Sequence, residues 1–259
     1  MKKVAIKAIK EVGGYLTNQF KNIHEISTKF PKENSHKFRK ELVSEADIES
    51  QKRLVNIIRS NFPKHSILTE EKEVKIEGDS EYKWFIDPID GTTNFVSHIP
   101  HFAISIALSQ NEEIIFGVIY DPIRKEMFHA EKNKGSFLNG IPIQVSNKLD
   151  LDLSIVSVGL GNNYELAAKS VESISKLVNK VLAIRMSGCA SLDMAYVACG
   201  RFNVFFNRFL KPWDLSAGSL LIRLAGGKII DIERDPIADT RGIIAGNEAI
   251  CREVIKIIK

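Results

Sequence analysis

The first sixty residues carry two amphipathic patterns of helical spacing. Apolar side chains recur every three to four positions over residues 4–20, and a second apolar stripe runs over residues 44–62. Pro63 ends the second stripe, because proline lacks the amide hydrogen that a helix interior needs. The polar segment at residues 27–40 predicts a loop between them. The chain is therefore predicted to begin with two helices.

Short apolar runs replace the helical stripes between residues 82 and 145. The runs at residues 102–108 and 114–120 are joined by a short polar turn, which is typical of an antiparallel hairpin. Asn139-Gly140 forms a second tight-turn signal further along the same pattern. These features predict an antiparallel sheet after the two helices.

Strand-like and helix-like segments alternate after about residue 146 and end in a helix predicted over residues 248–258. Such alternation favours an α/β layer. The change of pattern predicts two lobes, an N-terminal α+β lobe at residues 1–146 and a C-terminal α/β lobe at residues 147–259.

Composition is that of an ordinary globular protein. The chain has 259 residues, of which 44% are hydrophobic and 26% charged, and this excludes fibrous, disordered and disulfide-scaffold proteins. The net charge of +4 is too small to indicate nucleic acid as a partner. No apolar run approaches the ~18 residues of a membrane span, and no CxxC pair occurs. We therefore expect a cytoplasmic protein with reduced thiols and no membrane partner.

Two carboxylates follow an apolar strand at residues 84–86. Asp87 and Asp90 stand three residues apart, and Pro88 restricts the backbone between them. Carboxylate oxygens and the carbonyl oxygen of Ile89 are the ligands that a hard cation such as Mg²⁺ accepts. Such strings are by themselves more typical of surface turns, and the preceding apolar strand counts against that interpretation.

The residues after Asp90 offer a second kind of donor. Gly91 and Thr92 stand at a predicted helix start, where backbone amides can bind phosphate. Other acidic residues have structural explanations: Asp47 fits a capping-box position, and Asp214 fits a helix N-cap. Glu70 is followed by a second glutamate and a charged loop, and such a pair of acidic residues is usually exposed to solvent.

Five segments carry a family resemblance when they are taken together. They are Asp87-Pro88-Ile89-Asp90-Gly91-Thr92, Trp213-Asp214 with Ala217-Gly218 and Ala225-Gly226-Gly227, Leu42-Val43-Ser44-Glu45-Ala46-Asp47, Glu70-Glu71, and Gly188-Cys189-Ala190-Ser191-Leu192-Asp193. The chain resembles the inositol monophosphatase family of Mg²⁺-dependent, lithium-sensitive phosphatases over nearly its whole length. The resemblance implies an α/β fold, a layered αβαβα sandwich of the sugar-phosphatase type with an antiparallel N-terminal sheet and a mixed C-terminal sheet. It also implies a homodimer.

The resemblance further implies a site for two or three Mg²⁺ ions, with the first lobe holding metal and the second completing the active site. Glu70, Asp87 and the carbonyl of Ile89 would bind the first ion. Asp87, Asp90 and Asp214 would bind the second. Asp47 and Glu70 would support a third, weaker ion, and Thr92 with Glu70 would activate the attacking water. The implied substrate-binding residues are Asp90, Gly91, Thr92, Gly188, Cys189, Ala190, Asn207, Arg208 and Asp214.

One departure from the family pattern concerns the substrate. Inositol-specific members often place a glutamate seven residues before the aspartate of the second motif, where this chain has Asn207. The following Arg208 would favour a second phosphate, because guanidinium pairs bidentately with phosphate. The alternative is that Arg208 points away and pairs with a surface acid or a neighbouring subunit.

These features predict Mg²⁺-dependent hydrolysis of a phosphate monoester of a small polyol or sugar, with inositol 1-phosphate as the leading substrate. Fructose 1,6-bisphosphate and 3′-phosphoadenosine 5′-phosphate are rival substrates. The rival from another class is a regulatory protein that keeps the fold and binds RNA or polymerase. The acidic motifs favour the enzyme, and nucleic acid is not an expected partner.

Overall fold

The computed structural model describes residues 1–21, 26–28, 42–71, 74–161, 164–235 and 240–258. Most of the loop predicted at residues 27–40 lies outside these ranges, and its first two residues belong to a strand. The helices are α1 (Lys2–Gln19), α2 (Glu45–Asn61), α3 (Thr92–Val96), α4 (Tyr164–Leu177), α5 (Ala190–Ala198), α6 (Pro212–Leu224) and α7 (Glu248–Ile258).

The strands follow the predicted order of the chain. They are β1 (Ile26–Thr28), β2 (Leu42–Ser44), β3 (Ser66–Thr69), β4 (Lys75–Ile76), β5 (Tyr82–Asp90), β6 (Ala103–Gln110), β7 (Glu113–Asp121), β8 (Glu126–Glu131), β9 (Gly135–Leu138), β10 (Ile141–Pro142), β11 (Ile155–Gly159), β12 (Ala183–Arg185), β13 (Val204–Leu210), β14 (Lys228–Asp235) and β15 (Thr240–Gly246). The hairpin predicted for β6 and β7 is confirmed.

Two large sheets organise these strands. The first has eight strands in the order β10-β9-β8-β7-β6-β5-β3-β4, and the second has five in the order β12-β11-β13-β15-β14. In the second sheet β11 pairs in parallel with β12 and β13, and β15 pairs antiparallel with β13 and β14. The predicted mixed C-terminal sheet is therefore confirmed. β1 and β2 form a separate two-stranded sheet.

The expected antiparallel first sheet is confirmed for β5 to β10 and is wrong only for β3. β3 and β5 pair in parallel, from Ser66 opposite Lys83 to Thr69 opposite Ile86. Parallel neighbours need a crossover connection, and the chain between them turns back along β4 on the outer side of β3 before it enters β5. As a result, β3 and β5 both end at the same edge of the sheet.

Helices cover both sheets and fill the space between them. α1 and α2 pack on one face of the first sheet, α5 and α6 lie between the sheets, and α4 and α7 pack on the far face of the second. This arrangement is the expected αβαβα sandwich. The middle core takes residues from both sequence halves, including Phe128 and Phe205. The division at residue 146 therefore stays a prediction from sequence.

The middle layer packs closely because of two glycines. A Cβ on Gly117 of β7 would lie 2.9 Å from the Cα of Ala217 in α6. A Cβ on Gly218, the next residue of α6, would lie 2.7 Å from the Cβ of Met194 in α5. Helix α6 is therefore in close contact with the first sheet on one side and with α5 on the other.

The helix starts decide the structural roles expected for two aspartates. At the start of α2, the backbone N–H and hydroxyl of Ser44 both donate to Asp47, at 2.7 and 2.5 Å, which confirms the capping box. The expectation that Asp214 is an N-cap is wrong, since Lys211 is the N-cap of α6 and Asp214 is its third residue. Pro212 takes the first helical position, where its missing N–H has no cost, so the helix starts earlier than predicted.

Among the described residues, no helix has the length and apolar composition that a membrane crossing requires. Cys189, Cys199 and Cys251 are free thiols, and the first and last of these are buried.

We expect Gly117→Val to lower the free energy of unfolding by about 1–3 kcal/mol, because the new side chain would force α6 away from the sheet. Urea unfolding measures the change. Gly14→Ala is the matched control, since a Cβ at this exposed helical position meets nothing within 4 Å. It should leave stability unchanged or raise it by about 0.5–1 kcal/mol. Equal stability of the two variants would contradict the close packing of α6.

Candidate active site

The parallel pairing of β3 and β5 brings two of the expected carboxylates together. Glu70 follows the last residue of β3, and its backbone N–H donates to the carbonyl of Ile86 at 3.2 Å. Asp87 is the next residue of β5 and is only 1% exposed. Its carboxylate accepts the backbone N–H of Ile89 at 3.0 Å, which orients the side chain within the turn.

Asp87 lies at the centre of a group of carboxylates. Burial raises the pKa of Asp87 well above its ordinary value, and the negative charges of Glu70, Asp90 and Asp214 raise it further. These neighbours come from the ends of β3 and β5 and from the first turn of α6. The fold thus brings together four acidic residues that are separated in the sequence. Asp87 and Asp90 belong to one motif, Asp214 to another, and Glu70 to neither.

Asp90 joins the two halves of the chain. Its Oδ1 accepts the backbone N–H of Ala190 at 3.3 Å, and its Oδ2 accepts that of Ser191. Burial raises the pKa of Asp90, and the hydrogen bonds from Ser191 and from the Cys189 thiol oppose the shift. Asp90 therefore satisfies the first amides of α5, which otherwise have no acceptor within their own helix.

The segment before α5 approaches the turn after β5. A Cβ on Gly91 would lie 3.2 Å from the carbonyl oxygen of Gly188 and 3.3 Å from the Cβ of Cys189. Gly91 has φ of +94° and is the N-cap of α3, as its predicted place at a helix start required. The expected substrate-binding residues Gly188, Cys189 and Ala190 thus lie beside Asp90 and Gly91.

Thr92 connects this turn to α2. Its hydroxyl lies 2.9 Å from Oδ1 of Asp47 and 3.1 Å from the carbonyl oxygen of Ile89, and it can donate its single proton to either. Asp47 is fully buried, and burial raises its pKa to about 6, an effect that hydrogen bonds from Ser44 oppose and the charge of Glu70 increases. Asp47 is both a helix cap and a neighbour of the carboxylate group.

The structure does not bring Arg208 to this group. Its Nη2 donates to the hydroxyl of Ser173 in α4 at 3.0 Å, and its guanidinium carbon lies 5.1 Å from the ring centre of Phe206. Phe206 belongs to the core between the second sheet and the outer helices. This position favours the alternative in which Arg208 points away from the site.

Asn207 is buried, and its side chain forms a hydrogen bond within its own strand, β13. Its Oδ1 accepts the backbone N–H of Phe209 at 2.9 Å. Its amide nitrogen packs against Gly159, where a Cβ would approach it to 2.1 Å. Part of the hydrogen-bonding capacity of Asn207 is therefore used inside the protein.

Three polar residues without a role in the sequence analysis hold the site together. Asn94 in α3 donates to the carbonyl oxygens of His101 and Ser187, at 2.7 and 2.8 Å. Gln51 in α2 donates to the carbonyl of Glu71 at 3.0 Å and accepts its N–H at 2.9 Å. Their closeness to the motifs is the sequence feature that could have identified these two residues. Asn94 stands two residues after Thr92, and Gln51 stands one helical turn after Asp47.

Asp193 is the third of these residues. It is 2% exposed, and its carboxylate accepts hydrogen bonds from the hydroxyls of Ser157 and Ser187, each at 2.6 Å. Burial raises its pKa to about 7, although both hydroxyl contacts oppose the shift. Asp193 closes the segment 188–193 that carried part of the family resemblance.

The donor set has the chemistry of a hard-cation site. Carboxylate oxygens and a backbone carbonyl are what Mg²⁺ binds, and mutual repulsion of the carboxylates around Asp87 gives a cation a large electrostatic advantage. Among the described residues, no three Asp, Glu, His or Cys side chains already surround a common metal position.

The layered sandwich with acidic strand ends is of the sugar-phosphatase type, and comparisons with known proteins agree. The model of the inositol monophosphatase family matches residues 1–259. The Nus factor SuhB of Escherichia coli (strain K12) is 35% identical over 258 residues, which cover 98% of this chain and 94% of that relative. This chain belongs to the inositol monophosphatase family.

Solved structures agree with this assignment. The extragenic suppressor protein suhB from Bartonella henselae superposes with a TM-score of 0.88 at 34% identity, covering 100% of this chain and 98% of that one. An IMPase from Thermotoga maritima superposes with a TM-score of 0.86 at 32% identity, covering 100% and 97%.

The raised pKa of Asp47 predicts a pH effect on stability. Its value of about 6 instead of 3.8 means that the folded chain holds this proton more tightly than the unfolded chain. The resulting stability is present below about pH 4 and is lost as the pH rises through about 6. We therefore compare the free energies of unfolding of Asp47→Asn and the native protein in chelator. As the pH rises over this interval, we expect the value for Asp47→Asn to increase relative to that of the native protein, by up to about 3 kcal/mol.

Urea unfolding between about pH 4 and pH 8 measures this difference. Asparagine can keep the contacts to Ser44 and Thr92, so the comparison isolates the charge. Asp152→Asn, at an exposed position, is the control and should follow the native curve throughout. A difference between Asp47→Asn and the native protein that does not change with pH would contradict the prediction.

Proposed function

We propose that this protein is a Mg²⁺-dependent phosphatase that hydrolyses a phosphate monoester of a small polyol or sugar, with inositol 1-phosphate as the leading substrate. The observation that carries the proposal is the burial of Asp87 beside Glu70, Asp90 and Asp214. Concentrating these charges opposes folding unless a cation neutralises them. Membership of the inositol monophosphatase family supports the same reaction class.

Each carboxylate has a proposed place around the ions. Glu70, Asp87 and the carbonyl of Ile89 would hold the first Mg²⁺, and Asp87, Asp90 and Asp214 the second. Glu70 and Asp47 would support a third, weaker ion. Bound Mg²⁺ supplies stabilisation of the negative charge that develops on the attacking and leaving oxygens of the phosphate ester.

The protein's own groups would position the water and the phosphate. Glu70 would orient the attacking water and accept its proton, with the hydroxyl of Thr92 as the second contact. The hydrogen bond between Thr92 and Asp47 supports this role, because it fixes the hydroxyl at 2.9 Å from a buried carboxylate. The amides of Gly91 and Thr92 would donate to phosphate oxygens.

The second half of the chain would complete the substrate pocket. Gly188, Cys189 and Ala190 lie beside Asp90, which supports their expected contact with the substrate. Asn207 lacks the charge of the glutamate that inositol-specific members often have, so fructose 1,6-bisphosphate and 3′-phosphoadenosine 5′-phosphate stay rival substrates. The contact of Arg208 with α4 gives no support to a second-phosphate site at that residue.

Phosphate release from a panel of these three substrates, with Mg²⁺ and with chelator, tests the proposal. We expect Asp87→Asn and Asp214→Asn to abolish Mg²⁺-dependent turnover, because each removes a charged ligand. Without metal, Asp87→Asn should unfold at a higher temperature than the native protein, since it removes a buried charge. Addition of Mg²⁺ should stabilise the native protein and leave this variant unchanged.

Asp152→Asn is the control for both measurements and should behave as the native protein does. Full turnover by Asp87→Asn, or an equal Mg²⁺ shift in that variant and the native protein, would refute the assignment of the site.

We also propose a homodimer, formed through an apolar surface on α4 and β12. Tyr164, Val171 and Val178 are more than half exposed and stand seven residues apart, so they share one side of the helix and its end. Leu182 and Met186, which flank the edge strand β12, are also exposed. An apolar surface of this kind marks a protein contact, and a second copy would cover it.

Sedimentation of Val171→Asp tests this interface. We expect the variant to be a monomer at concentrations where the native protein is a dimer, because a buried carboxylate would oppose association. Ile141→Asp, at another exposed apolar position, on the edge of the first sheet, should stay dimeric. A dimeric Val171→Asp would exclude this surface.

A regulatory role is the second candidate function. The relatives that match 97–98% of this chain at 34–35% identity carry the name Nus factor, which is not the name of an enzyme. The Asp87→Asn variant separates the two candidates: retention of RNA polymerase by a variant without phosphatase activity would support regulation independent of hydrolysis.

A further inference from the structure

Asp193 joins three segments of the second half of the chain. It lies in the first half of α5, and its two carboxylate oxygens accept the hydroxyls of Ser157 in β11 and Ser187 in the segment before α5. Both contacts are 2.6 Å, and Asp193 is 2% exposed. Hydrogen bonds to a buried carboxylate are strong and directional, so they restrict the segments that they join.

The segment held by Asp193 is not held by the sheet. The pairing of β11 with β12 ends where Ser157 lies opposite Arg185. Two residues later, Ser187 is bonded to Asp193 through its hydroxyl and to Asn94 of α3 through its carbonyl oxygen. The contact with Asp193 thus fixes the position of the chain after Arg185, where pairing within the sheet has ended.

This segment leads directly to the amides that contact Asp90. Ala190 and Ser191 are the first two residues of α5, and their N–H groups donate to the two carboxylate oxygens of Asp90. Each carboxylate oxygen keeps a further lone pair when one amide is bound, so these contacts orient Asp90 without excluding a cation. A displacement of the start of α5 would let the Asp90 carboxylate rotate.

We propose that Asp193 is a positioning residue that holds the start of α5 against Asp90 and thereby sets the Mg²⁺ affinity of the site. Its effect on Mg²⁺ rests on the proposed function, whereas its effect on the contact between α5 and Asp90 does not. If Asp193 had a merely structural role, its variants would be less stable, but the contact between α5 and Asp90 and the Mg²⁺ affinity would be unchanged. Residues that orient metal ligands typically change affinity or activity by roughly 10- to 100-fold.

Three variants separate these roles. Asp193→Ala removes both hydroxyl contacts, and Ser157→Ala removes one of them. Asp193→Asn keeps both, because its amide group can accept from one serine hydroxyl and donate to the other. Ser154→Ala is the matched control, since it removes a buried hydroxyl that donates locally, to the carbonyl of Asp150 at 2.8 Å.

The first readout is amide exchange at Ala190 and Ser191, measured by NMR on the folded protein in chelator. At the start of a helix these amides have no intrahelical acceptor, so their protection reports the contact with Asp90. We expect exchange at least about tenfold faster in Asp193→Ala, an intermediate rate in Ser157→Ala, and native rates in Asp193→Asn and Ser154→Ala.

The second readout is the Mg²⁺ concentration that gives half-maximal phosphate release. We expect it to rise roughly tenfold or more in Asp193→Ala and to stay within about threefold of native in Asp193→Asn. If Asp193→Ala does not fold, Ser157→Ala carries both measurements. Native exchange rates and native Mg²⁺ dependence in a folded Asp193→Ala or in Ser157→Ala would overturn the proposal.

The two readouts also distinguish this inference from the proposed function. If the native protein releases no phosphate with Mg²⁺, the proposed function fails, and the exchange rates still decide whether Asp193 holds α5 against Asp90. If the native protein is an active phosphatase and Asp193→Ala keeps native exchange and Mg²⁺ dependence, the inference alone fails.

Discussion

The burial of Asp87 among other carboxylates is the interaction on which the site depends. Burial and three negative neighbours all oppose its ionisation, so the protein must hold the group in place by other contacts. Backbone amides provide these contacts, because an N–H group stabilises a carboxylate without adding a titratable charge. Four of the carboxylates accept backbone N–H groups: Asp47 from Ser44, Asp87 from Ile89, Asp90 from Ala190 and Ser191, and Asp214 from Lys211.

The layered architecture delivers these carboxylates to one place. β3 and β5 end side by side, α2 and α6 begin beside them, and α5 presents its first amides from the opposite half of the chain. The position of α6 depends on close packing of Gly117 against Ala217 and of Gly218 against α5, about one helical turn from Asp214. Core packing and site geometry are therefore linked, since a shift of the middle layer moves Asp214.

Much of the fold could be predicted from the sequence, because helical and strand periodicities are local. The helix pattern at residues 44–62 and the hairpin of β6 and β7 depend on neighbours within one element, and both are confirmed. The turn from Asp87 to Thr92 is local as well, so its residues could be recognised as a candidate site. The direction of β3 could not be predicted, because a pairing partner is chosen by tertiary contacts.

The sequence by itself determined the elements, the family and the acidic motifs. The tertiary structure alone decided which polar residues support those motifs and which side chains face away. Asp193 and Gln51 act through partners distant in the sequence, and Arg208 faces α4 because alternation along β13 puts it on the outer side with Phe206. Such contacts depend on the packing of separate layers, and no local pattern of residues encodes that packing.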